Sequence, residues 1–398
     1  MTRALSTRTE NIAASLTVAI DTLAKQMIAD GKDVVSLGAG EPDFPTPQPI
    51  RDAACKAINE GKTRYTAPVG ILEVRKAVCE KLKRDNGLEY APEQIIMTSG
   101  AKHAVFNALA ALINPGDEVI VPAPYWVTYP ELVKWLGGTP VFVSAGIENN
   151  FKITANQLRN AVSEKTKAVL LNNPCNPTGS VYTKDELAEL AKVIVETDIY
   201  CISDEVYEYF TYADAFTSAA SFDGMAERTI VVNGFSKSHC MTGWRIGYDA
   251  APFPIAKIIG KIQGQSTHHP SNIAQYAALG ALQMGMGEVN KMRSAFNKRR
   301  DFMVAQISRI LGKPVSAPAG AFYLFVPVEK YFGTKTPSGA TISDSIDFCK
   351  YILESEGLAI VPGKAFGDNS CVRFSYAASD ENLVKACERF DAGIKNLR

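Results

Sequence analysis

The sequence predicts an α/β fold: a large domain with a mostly parallel central sheet flanked by helices, plus a smaller α+β domain. Three observations predict it. Between residues 95 and 232, short apolar runs rich in Val and Ile alternate with helix-length segments, the pattern of a parallel sheet covered on both faces. From about residue 255 the pattern becomes mainly helical and closes on a few short strands. A length of 398 residues exceeds what one core usually serves and favours two or three domains.

Each element follows from its spacing. Leu16, Ile20, Leu23, Ala24 and Met27 recur at helical intervals, so 16–28 is expected as a helix. Val34 to Leu37 reads as a strand, and 38–47, G-A-G-E-P-D-F-P-T-P, holds too much Gly and Pro for regular structure. A helix is expected over 48–61, stopped by Gly61. Strands are expected at 95–98, 118–121, 140–143, 167–171, 199–203 and 229–232. Between them lie helices led by Ala104, Tyr129 and Lys184. A long helix over 289–310 leads to strands at 321–326, 358–361 and 372–375, with helices over 343–356 and 380–397. The expected divisions are 1–47, an N-terminal arm with part of the small domain; 48–290, the large domain; and 291–398, the small C-terminal domain.

Composition narrows the function. Lys+Arg and Asp+Glu both number 42, so no net field favours nucleic acid or an anionic membrane. The first residues lack an apolar core of signal-peptide length, and no apolar run approaches a membrane span. The 8 Cys are scattered, with no C-x-x-C pair. They read as small buried hydrophobes, and the chain is expected to be cytoplasmic and metal-free.

Right-handed crossovers gather the loops after parallel strands at one sheet edge. Four such loops carry unusual residues. Ser99-Gly100-Ala101-Lys102 is a small-residue turn opening a helix; it is either an anion site at the helix N-terminus or an ordinary connection. Asn172 to Gly179 reads N-N-P-C-N-P-T-G, a rigid turn that also aims Asn side chains, with an X-Pro bond expected cis. Asp204 ends an apolar strand, where a carboxylate needs a cation, a strong donor, or a role as N-cap of a following helix. Lys237 sits in N-G-F-S-K-S-H-C-M-T-G-W-R-I-G, with Ser236 before it and Arg245 eight residues on. A nearby cation lowers an amine's pKa, and the neutral amine attacks carbonyls. Read alone, Lys237 and Arg245 are equally two surface cations. Taken together with the aromatic loop at Trp126, the set answers the needs of pyridoxal phosphate: an anion site, an acid for the ring nitrogen, an amine for the aldehyde and a stacking face.

The motifs A-G-E-P-D-F, S-G-A-K, P-Y-W, N-P-C-N-P-T-G, S-D-E-V-Y, S-K-S with M-T-G-W-R-I-G, and V-R-F-S-Y occur in this order along the chain. In them the chain resembles the fold-type-I, pyridoxal-phosphate-dependent class I aminotransferases, in particular the bacterial aspartate-type subgroup. The resemblance implies transfer of an amino group from L-aspartate to 2-oxoglutarate in a homodimer with shared active sites. It implies that Lys237 bonds the cofactor aldehyde and shuttles the substrate proton, and that Asp204 pairs with the ring nitrogen. Tyr207 and Asn176 would hold the ring's phenolic oxygen, and Trp126 would stack on the ring. Gly100, Ala101, Ser236 and Arg245 would hold the phosphate, with Tyr65 reaching over from a partner subunit. Arg373 would grip the substrate α-carboxylate as a bidentate fork, with Gly40 close to it and Asn176 and Trp126 also facing the substrate. Lys102 would take the second carboxylate, because the 267–270 segment offers no arginine. Gly234 stands where many relatives carry serine, and Ala13 stands where prephenate-accepting relatives carry a basic residue. Rival readings are a broader aromatic or aliphatic aminotransferase, a C–S lyase on the same fold, or a non-catalytic cofactor-binding regulator.

Overall fold

The computed structural model describes residue 10, residues 12–13, residues 16–213 and residues 215–398. Its strands are β1 (Val35–Ser36), β2 (Ile95–Thr98), β3 (Glu118–Ala123), β4 (Thr139–Ser144), β5 (Thr166–Asn172), β6 (Tyr200–Asp204), β7 (Thr229–Gly234), β8 (Gly247–Ala250), β9 (Tyr323–Pro327), β10 (Leu358–Ala359), β11 (Val361–Pro362) and β12 (Cys371–Ser375). Seven of them form one sheet in the order β2-β8-β7-β6-β5-β3-β4. Only β8 is reversed against its neighbours β2 and β7. Strands β3 to β7 pair in parallel.

Both faces of this sheet are covered, which explains the unbroken apolar runs. Val119, Val121, Leu170, Ile202 and Val232 pack into one cluster with the helix Ala101–Leu112. Their alternates Ile120, Val169, Leu171 and Cys201 pack into another with the helix Lys184–Glu196. Thr183 caps that second helix by accepting from the Glu186 amide, while the Glu186 side chain returns to the Thr183 amide.

The second body of sheet is small. Strands β11, β12 and β9 make an antiparallel sheet, and β1 pairs in parallel with β10. The N-terminal segment is therefore stitched to the C-terminal third of the chain. The long helix Gly287–Leu311 packs against β9 and the terminal helix Asp380–Lys395.

Several expectations need correction. The single strand expected over 358–361 is two short strands in different sheets, with Ile360 between them. A hydrophobic run records burial but not which partner each backbone group finds. Strand β8 was not expected: G-Y-D-A is short, and an Asp interrupts its apolar run. The helices Leu72–Lys81 and Ala155–Ala161 were missed too. The helix after Ser99 starts at Ala101, so Lys102 lies in its first turn. No helix follows Asp204; 206–209 is a turn.

Candidate active site

All strands of the large sheet except β8 point the same way, so the C-terminal ends of β2, β3, β5, β6 and β7 meet at one edge. Reversed β8 begins at that edge, with Gly247 opposite both Thr98 and Gly234. That register brings Arg245, just before β8, beside the Gly100 turn. A cavity of about 540 Å³ opens here, and Lys237, Asp204, Arg373, Arg245, Lys102 and Trp126 line it. Gly40, Ala101, Asn176, Tyr207 and Ser236 also face it.

Lys237 follows β7 and donates its Nζ hydrogen bond to the Gly40 carbonyl. Its amine is lowered to about 8. Burial is the main cause; Arg373 and Arg245 push the same way, and Glu41 and Asp204 oppose them. The expectation that a neighbouring cation does this work is corrected: desolvation leads. Beneath the lysine turn, Asn233 donates to Glu208 at 2.8 Å, and Glu208 also takes the buried Lys81 amine.

Asp204 is 3% exposed. Its Oδ2 accepts from the Tyr129 hydroxyl at 2.7 Å and its Oδ1 from the Val206 amide at 3.3 Å. No cation bonds it among the described residues. Burial pushes its pKa up to about 6, against the pull of the Tyr129 bond. This buried acid could pair with a cationic ring nitrogen.

Arg373 lies on β12 and is 3% exposed. Its Nη1 donates to Asn176 Oδ1 at 2.7 Å and its Nη2 to the Gly38 carbonyl at 2.6 Å. Its Nε is buried with no partner among the described residues, a donor left over for an anion. The Tyr323 ring lies 4.5 Å from the guanidinium carbon and the Phe366 ring 4.9 Å.

The turn before the helix Ala101–Leu112 is shaped by close approach. Gly100 has φ +88°, and a Cβ there would lie 2.8 Å from Arg245 Nη2. Arg245 itself has φ +53° and donates to the Thr242 carbonyl at 2.9 Å. Open helix amides, the Arg245 guanidinium and Ser236 make an anion cradle. At Gly234 a Cβ would lie 3.2 Å from the Gly247 and Ile246 backbone, a tight contact that a serine would relieve by a shift of a few tenths of an ångström. Lys102 Nζ stands 5.2 Å from the centre of the Trp126 ring, and burial followed by Arg245 lowers its pKa.

The donor set fits pyridoxal phosphate: an anion cradle that a side chain at Gly100 would fill, a buried acid without a cation, a depressed amine and an aromatic face. Tyr65 stands apart. It is 88% exposed, and its ring meets His268 and His269 edge-on. Both Asn-Pro bonds of the second loop are cis, as is Ala123–Pro124. Sequence reasoning missed Tyr129, Glu41, Thr242 and Tyr323, which also line the cavity. Tyr129 had a usable signal, one helical turn after Trp126; Tyr323 had none, because it lies within the apolar core run A-F-Y-L-F-V.

Fold and cavity together define an enzyme that presents an amine, an anion cradle and an arginine fork in one cleft. The family described as aminotransferase class I and II matches residues 32–390. The aspartate/prephenate aminotransferase of Cereibacter sphaeroides is 45% identical over 99% of each chain. The aspartate aminotransferase of Bacillus subtilis is 45% identical over 97% of each. The aspartate aminotransferase structure from Rhizobium meliloti superposes with a TM-score of 0.96 at 39% identity, covering 100% of both chains. That from Thermus thermophilus with maleate gives 0.93 at 41% identity, over 98% of this chain and 100% of that one. The chain belongs to the class I and II aminotransferases and is a transferase of amino groups.

Proposed function

We propose that the protein transfers the amino group of L-aspartate to 2-oxoglutarate, using pyridoxal 5′-phosphate held in the cavity. One observation carries this reading: a single cavity joins the depressed Lys237 amine to two separate cations, Arg373 and Lys102. A dicarboxylic amino acid offers one carboxylate to each. The relatives named for aspartate, and the relative crystallised with the dicarboxylate maleate, support the same substrate class.

Phosphate would rest on Gly100, Ala101, Ser236 and Arg245, the ring against Trp126, and the ring nitrogen on Asp204. When bound, the cofactor supplies a sink for the electron pair left at the substrate Cα. Everything else falls to the chain. Arg373 offers Nε and Nη to the α-carboxylate, a planar fork that a lysine cannot copy. Lys237 Nζ takes the Cα proton and holds it for return; at a pKa near 8 a useful share of the amine is neutral at pH 7–8. Gly40 brings a backbone carbonyl to that amine. Tyr65, exposed on one copy, would complete the phosphate site of a second, in a homodimer working in the cytoplasm. Residues 48–290 would move as one body, with 1–47 and 291–398 as the other; the pairing of β1 with β10 supports that division.

The test is covalent. The protein is incubated with pyridoxal phosphate, reduced with borohydride and mapped by peptide mass, and aspartate turnover is measured on the unreduced sample. Label on Lys237 together with oxaloacetate formation is expected. Absence of label at that position would end the cofactor reading; label without aspartate turnover would end the substrate reading.

A further inference from the structure

One contact at the cavity wall has no role in the reaction described so far. Tyr207, in the turn after β6, and Tyr323, at the start of β9, place their hydroxyl oxygens 2.7 Å apart. Their rings stand nearly perpendicular, 81° apart with centres 5.7 Å apart. Tyr323 is 0% exposed and Tyr207 is 3% exposed. The Tyr323 ring also lies under the Arg373 guanidinium, and a Cβ on Gly40 would fall 2.6 Å from the Tyr323 hydroxyl. One side chain of the small sheet thus touches three groups assigned to ligand binding.

Two hydroxyls at this distance share one hydrogen. If Tyr207 donates to Tyr323, its hydrogen is spent within the pair. If Tyr323 donates, the Tyr207 hydrogen is released to point into the cavity. Chemistry favours the second arrangement. The charged and titratable groups facing Tyr207 include Tyr323, Arg373, Asp204, Tyr129 and, across the cavity, Lys237. Tyr323 has the Arg373 cation on its ring face, which makes its phenol the more acidic partner and the better donor. Burial raises the Tyr207 phenol well above its ordinary value.

We propose that Tyr323 is a positioning residue: its hydroxyl donates to the Tyr207 oxygen and so aims the Tyr207 hydrogen at the ring oxygen of the bound cofactor. The small sheet is thereby coupled to the cofactor through a relay of two tyrosines. The proposal rests on the reading of this cavity as a pyridoxal phosphate site.

The test compares two ligands, pyridoxal phosphate and its 3-deoxy analogue, which lacks the ring oxygen. Affinity is measured by equilibrium dialysis for the parent protein, Tyr323→Phe, Tyr207→Phe and the double variant. The pH midpoint of the bound cofactor's visible absorbance is recorded for each. Tyr323→Phe keeps the ring under Arg373 and removes only the hydroxyl. It is expected to weaken pyridoxal phosphate about 3- to 10-fold, the span of one neutral hydrogen bond. It should also move the pH midpoint upward, because the ring oxygen's ionised form loses a donor. Affinity for the 3-deoxy analogue should be unchanged, which also shows that the variant is folded. In the Tyr207→Phe background the second substitution should add nothing. An equal loss for both ligands, or additive losses in the double variant, would overturn the relay and leave Tyr323 a packing residue. If the parent protein fails to bind pyridoxal phosphate at all, the reading of the site falls and the relay with it; parent binding with an unmoved Tyr323→Phe refutes the relay alone.

Discussion

Lys102 holds its amine over the Trp126 ring, in the same cavity as the Arg373 fork. If it answers the second carboxylate of aspartate, Lys102→Ala should lower kcat/KM for aspartate about 10- to 100-fold, the worth of a hydrogen bond to a charged group. Alanine, with one carboxylate, should change by less than about 2-fold. Steady-state kinetics on both substrates decide; an equal loss would assign Lys102 to cofactor binding or folding. At this scale, what could be read from sequence depended on oddity. Asp204 and Arg373 are charges inside apolar strands, and both line the cavity. Tyr129 and Tyr323 are aromatic residues among aromatic residues, and only their hydroxyl partners set them apart. Tyr65 was named from resemblance, and nothing within one chain gives it a ligand.

The turn between β2 and its helix shows how an element builds a site. Gly100 takes a left-handed φ and lets the Arg245 guanidinium approach within reach of the helix amides. Gly100→Ala would place a methyl group 2.8 Å from that guanidinium in a backbone region that L-residues avoid. Stability should fall by about 1–3 kcal/mol, and phosphate-dependent cofactor affinity should fall with it. Urea unfolding and a comparison of pyridoxal phosphate with pyridoxal would measure both; an unchanged preference for the phosphorylated ligand would remove the cradle from this turn. Elements of the large sheet were legible because burial on both faces leaves continuous Val and Ile runs. Strand β8 was not, since its four residues carry little pattern and one of its two partners, β2, lies far back in the chain. The split at Ile360 was hidden for a related reason: adjacent residues share one apolar run but bond to different sheets.

At the scale of the whole molecule, Asp249 is at odds with its surroundings. It sits within β8 opposite Ile96 and Val232, fully buried, and neither carboxyl oxygen has a partner among the described residues. Burial raises its pKa well above the ordinary value. The native state therefore keeps a proton that the unfolded chain loses above about pH 4. The sign follows: this position costs nothing extra below that pH and destabilises progressively as pH rises, by at most about 1.4 kcal/mol per pH unit. Asp249→Val should raise stability, and its advantage should widen between pH 5 and pH 8 in urea titrations; a gap that narrows with pH would show that the acid is satisfied. The pairing of β1 with β10 bears on how the molecule is born. Val35 meets Leu358, so the early strand waits while 322 residues between them are synthesised. At roughly 5–20 residues per second, that wait lasts roughly 15–65 seconds. The large sheet has all its strands by residue 250, so a nascent chain would assemble it first and keep its early strand unclasped until Leu358 and Ala359 have been made.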